Sequence, residues 1–225
     1  MRQDKRATFL DWVALRLSTA RQVDGLWVGI AFAGEAAEPI FRRVEDALLL
    51  IKENDRLRYG RLIRDLERVW VRDLPGALGS FNKTLRACSL DREFVLAETT
   101  HPELIATTIV HEATHARIES CGIGYEEKLR PRIEAACFRR ELAFAKKLPN
   151  GEQVQEQAER SLVEHAKQGP WTDAAFANRF DRAHIEALRK LGAPDWIGQT
   201  ALILRAPYLQ IRRLLLHVAH LFQSR

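Results

Sequence analysis

Two histidines and a glutamate stand together at His111-Glu112-Ala113-Thr114-His115, in the order HExxH. On a helix, positions i and i+4 share a face with Cβ atoms about 5–6 Å apart, so both imidazoles can meet one ion at about 2.0–2.1 Å. Glu112 then sits beside that ion without being a ligand. Zinc lowers the pKa of a water towards about 7, and a neighbouring carboxylate can take its proton and hand it to a departing amine. The pattern points to amide hydrolysis with Zn2+ as cofactor and Glu112 as general base.

Two imidazoles need a third protein donor. Glu119 lies at i+8 from His111, about 12 Å further along a straight helix, too far to share the ion and placed instead for outer support or solvent. Cys121 occupies the offset of the third histidine in HExxHxxGxxH, but Ile118 stands where that longer pattern needs a glycine. Glu126 and Glu127 follow Gly122 and Gly124 closely and supply negative charge near a helix start. Glu134, nineteen residues after His115, is the better ligand. It falls on a returning helix whose Ala135, Ala136 and Cys137 are small enough to allow a close approach. A carboxylate also suits a site that keeps one position open for water.

Hydrolysis further requires a donor for the developing oxyanion. Tyr125, Arg130, Arg132, His165 and His184 have the chemistry, and spacing selects none of them. Arg130, at i−4 from Glu134, is placed to fork onto that carboxylate. His217 and His220 have no carboxylate beside them and read as helix-face residues.

The run Ile109-Val110-His111-Glu112-Ala113-Thr114-His115-Ala116, followed by Arg132-Ile133-Glu134-Ala135-Ala136-Cys137-Phe138, resembles the gluzincin branch of the zincin metallopeptidases. The resemblance extends back to a strand region at 84–95. It implies His111, His115 and Glu134 as zinc ligands, Glu112 as base, and a peptide or protein substrate held extended along the strand before the motif helix. Thermolysin-like members carry an aspartate four residues after the ligand glutamate. Phe138 stands there in this chain, so that support must come from elsewhere or be absent. A second class shares the same ligands: a zinc-stabilised binding or regulatory module without proteolysis.

These residues need elements to position them. The apolar spacing predicts helices over 7–21 and 39–53 and another ending near Glu67, with strands at 26–32, 68–71 and 84–90 divided by Pro75-Gly76 and Gly79. Thr100-His101-Pro102-Glu103 fits a capping box opening the motif helix, and Gly122 and Gly124 are placed to close it. A second helix starts near Glu126 or Pro131 and runs to about Leu148. Breaks at Leu148-Pro149-Asn150-Gly151 and Gly169-Pro170 precede helices over 152–167, 171–191 and 195–222. The expected fold is α+β: a mostly helical, zincin-like core with a small sheet over 1–150, and a helical C-terminal extension over 151–225.

With 46% hydrophobic residues in 225, the chain can bury a sizeable core, which excludes a disordered class. Its longest apolar runs, from Gly25 to Gly34 and from Leu214 to Phe222, are shorter than the roughly 20 residues of a membrane span. Early charges, Arg2, Asp4, Lys5 and Arg6 among them, leave no secretory apolar stretch, so a cytoplasmic protein is expected. Cys88, Cys121 and Cys137 lack CxxC spacing and read as reduced thiols, mostly small buried hydrophobes. The net charge of +5 comes from dispersed arginines without a nucleic-acid-binding motif, so nucleic acid is not an expected partner.

Overall fold

In the computed structural model, which describes residues 9–32, 37–165, 171–190 and 194, a short helix α1 (Phe9–Arg16) leads into a hairpin. Strand β1 (Thr19–Val23) turns at Asp24-Gly25 into antiparallel β2 (Leu26–Ile30). Both turn residues have positive φ, 50° and 84°, as a two-residue type I′ loop demands, and glycine meets that demand without a Cβ clash. The helix expected over 7–21 therefore stops at Arg16, because pairing with β2 overrides the local helical pattern.

Helices α2 (Ala37–Asn54) and α3 (Arg56–Asp65) make the crossover to β3 (Arg68–Arg72), which pairs parallel with β2. Strands β4 (Gly79–Asn82) and β5 (Ala87–Asp91) complete a sheet of order β1-β2-β3-β5-β4, with β5 parallel to β3 and β4 antiparallel at the edge. The strand region expected at 84–95 is thus corrected. Residues 83–86 turn the chain, β5 follows, and the Asp91 side chain accepts from the Phe94 N–H to cap a five-residue helix, α4 (Arg92–Leu96). Gly79 opens the edge strand rather than dividing two others.

Alternation along the strands sends side chains to two sides. Val69 and Val71 join the main core with Val44, Leu48 and Ile51 of α2. Trp70 points the other way, onto Leu85, Ala87 and the α1 residues Ala14 and Leu15, and its indole N–H donates to Ser18 Oγ at 3.0 Å.

The motif helix α5 (Pro102–Ser120) packs against α2, α3, β4 and the returning helix α6 (Arg130–Ala145), onto which α7 (Glu152–His165) folds back. The N-terminal cap differs from the expected box. Pro102 takes the first helical position and keeps His101 extended, so His101 is the cap residue and makes no side-chain cap bond. The Thr100 carbonyl instead accepts from Arg43. At the other end, Gly122 N–H reaches Glu119 O at 2.9 Å and Ile123 N–H reaches Ile118 O at 3.2 Å, the paired bonds of a Schellman closure.

The fold is α+β. The chain divides into two compact units, Met1–Ala175 and Phe176–Arg225. The last described helix, α8 (Asp173–Lys190), begins in the first and supplies most of what is described of the second. The break at Gly169-Pro170, the helices expected over 195–222, and His217 and His220 lie outside the described residues. Among the described residues no helix is long and apolar enough to cross a membrane.

Candidate functional site

Neighbouring helical turns of α5 and α6 meet face to face. His111 and His115, one turn apart on α5, bring their rings to a centroid separation of 5.1 Å. From α6, Glu134 places one carboxylate oxygen 3.3 Å from His111 Nε2 and the other 3.5 Å from His115 Nε2. Donors at about 2.05 Å from a common tetrahedral ion are separated from each other by about 3.3 Å, and each imidazole stands at about that spacing from one oxygen of Glu134. The side chains of His111, His115 and Glu134 keep 12%, 13% and 8% exposure, so the cluster is largely withdrawn from solvent.

The second nitrogen of His111 has its own partner. Nδ1 donates to Glu141 Oε2 at 3.0 Å, which orients the ring with Nε2 towards Glu134. Sequence reasoning missed Glu141. It sought the supporting carboxylate at the position of Phe138, whereas the chain supplies it two helical turns after Glu134. The i,i+7 spacing of two glutamates on one helix was the available signal. Phe138 packs its ring against His111 at 4.8 Å, holding the imidazole from a third side.

Electrostatics follow from this packing. Burial disfavours a charged His111 ring, but hydrogen bonds to Glu134 and Glu141 outweigh it and raise the imidazole to about 10. Burial likewise pushes Glu134 up, and its bonds to His111 and His115 reverse that, holding the carboxyl well below the usual range. Two carboxylates thus hold positive charge between them, where a dication competes with the proton.

Glu112 is buried at 7% exposure beside the sheet edge, and its charge acts on His111. Gly79 of β4 lies directly against it: a Cβ built there would stand 2.7 Å from Thr108 Cγ2 and 3.1 Å from Glu112 Oε1. Only a glycine lets the strand approach the helix this closely. Among the described residues the Glu112 carboxylate has no hydrogen-bond partner, so its oxygens are not committed to holding the fold.

Tyr125 and Arg130 settle differently from the expectation. The Tyr125 hydroxyl, not the Arg130 guanidinium, donates to Glu134 Oε1. Arg130 donates to the Trp171 carbonyl at 3.1 Å and to Asp173, and it lies over the Tyr125 ring at 5.3 Å, steadying Tyr125. Burial, with the nearby charge of Glu134, pushes the Tyr125 hydroxyl far up, so it stays a donor. Glu119 pairs with Lys83 of the β4–β5 turn, and Arg132 is exposed. Glu126 pairs with Lys128, Glu127 accepts from the Asp173 N–H, and Cys121 is an exposed cap residue of α5. The side chains of His165 and His184 lie outside the described set. Comparison of the chain with protein-family models, with curated proteins and with solved structures finds no match.

Proposed function

We propose that the chain is a zinc-dependent metallopeptidase of gluzincin type that hydrolyses peptide bonds, with His111, His115 and Glu134 as ligands and Glu112 as general base. The observation that carries this is the facing of both Nε2 atoms onto the two oxygens of Glu134 at 3.3 and 3.5 Å, backed by Glu141 on His111 Nδ1. The donor chemistry fits zinc: two neutral imidazoles and one carboxylate leave a coordination position for reaction. Bound there, the ion supplies a Lewis acid that makes water more acidic and polarises a carbonyl.

The chain's own residues do the rest. Glu112, uncommitted and desolvated, takes a proton from the attacking water on a carboxylate oxygen and delivers it to the leaving nitrogen. Tyr125 holds Glu134 by one oxygen and remains protonated while doing so. Edge strand β4 lies beside Glu112 through Gly79, so a substrate that adds to the sheet edge as an extended strand brings its backbone to the base.

Elemental analysis of the purified protein, paired with cleavage of a peptide library with and without chelator, tests the reading. One zinc per chain with chelator-sensitive cleavage is expected. Failure to take up zinc sinks it. One zinc with chelator-induced unfolding and no cleavage converts it to the non-proteolytic module.

A further inference from the structure

Cys137 stands three residues after Glu134 and four before Glu141 on α6, so the helical repeat puts all three on the side that meets α5. Its sulfur and one nitrogen from each of His111 and His115 lie within 4.8 Å of one another. The side chain has no solvent exposure, so the sulfur is enclosed with the imidazoles rather than offered to the surface. In a tetrahedral zinc site with Zn–S about 2.3 Å and Zn–N about 2.05 Å, sulfur and nitrogen stand about 3.5 Å apart, leaving at most about 1.3 Å for side-chain motion to close.

We propose that Cys137 is a fourth protein donor of the His111, His115 and Glu134 centre, able to take the coordination position that a peptidase leaves to solvent. This rests on the zinc reading above and adds a second state to it. With the thiolate bound, the ion has four protein ligands, as in structural zinc sites; with the thiol turned away, it has three and can do chemistry. Binding of the sulfur releases its proton to solvent. Thiophilic ions such as Cd2+ favour the closed form over the open one, because thiolate is the softest donor present.

The test loads the full chain with Co2+ and records its electronic absorption. Visible d–d bands report that the ion is bound, and a near-ultraviolet sulfur-to-cobalt charge-transfer band reports a thiolate ligand. Both are expected from the parent chain. Cys137→Ala is expected to lose the near-ultraviolet band, keep the visible ones, and bind Co2+ weaker by at least the about tenfold that loss of an outer-shell partner costs. The double variant Cys88→Ala/Cys121→Ser retains Cys137 as the sole cysteine and is expected to keep the band, which secures the assignment even if Cys137→Ala fails to fold. Visible bands without the charge-transfer band in the parent chain overturn the thiol role and leave the zinc reading standing. Survival of the band in Cys137→Ala, or its loss in the double variant, overturns the thiol role as well. Absence of any Co2+ or Zn2+ uptake overturns both.

Discussion

On one side of α5, Ile105, Ile109 and Val110 enter the apolar cluster of α2 and the sheet, each at 1% exposure or less. On the other side, His111 and His115 are almost as enclosed, but their neighbours on α6 are the carboxylates of Glu134 and Glu141. The first side gains stability from every methylene removed from water. The second side gains little, since desolvating charged groups costs nearly as much as their pairing returns. One helix therefore carries a face that holds the fold together and a face of buried charged pairs that adds little to stability, and the two are separable by mutation.

The sharpest break in that division is Glu112→Gln. Turnover of a responsive peptide is expected to fall by about 10²–10⁴-fold, the usual worth of a general base, with zinc content unchanged. Cleavage at the parent rate would show that the polar face works without its base. On the apolar face, Ile109→Ala is expected to cost about 2–5 kcal/mol in denaturant unfolding and to leave one zinc per folded chain. Loss of zinc from the folded variant would show that the two faces are one unit. Glu141→Gln sharpens the comparison from the polar side: zinc affinity in a chelator competition should drop about 10–100-fold with little change in the ion-free unfolding midpoint.

The smallest effect lies off both faces. Asp55 caps α3 by accepting from the Arg58 N–H at 3.1 Å, and it also pairs with Lys147 just beyond α6 at 2.8 Å. Burial works against its charge, but the bonds from Lys147 and Arg58 prevail and hold its carboxyl below the ordinary value. A carboxyl depressed in the folded state stabilises above its unfolded pKa of about 3.9 and loses that contribution as pH falls through the folded value. Asp55→Ala should cost about 1 kcal/mol at neutral pH and converge with the parent in acid, as read from unfolding curves across pH.

What could be read beforehand was what is local. The i,i+4 pair His111 and His115 declares its geometry from spacing alone, and α2, α5 and α6 follow from apolar periodicity and proline placement. Glu134 was within reach because a tight return after Gly122 has to bring the next helix back alongside α5. The misses are tertiary. Thr19–Val23 carries a helical pattern and becomes a strand only because β2 lies across the Asp24-Gly25 turn, a hairpin signal that should have outweighed the periodicity. Arg130 has the right spacing for Glu134, yet its guanidinium is drawn to Trp171 and Asp173, more than forty residues away in the chain. Cys137 reads as a small core residue by every local rule, and only the packing of α6 on α5 puts its sulfur among imidazoles.

Gly79 sets the clearance between the sheet margin and Glu112 with nothing more than a hydrogen atom. A single methyl at that point, 2.7 Å from Thr108 Cγ2, must push strand and helix apart. The clearance between β4 and α5 is thus written into the one residue type that cannot grow there, and a shift of a few tenths of an ångström at the rim would reach the Glu112 carboxylate with no intervening layer to absorb it.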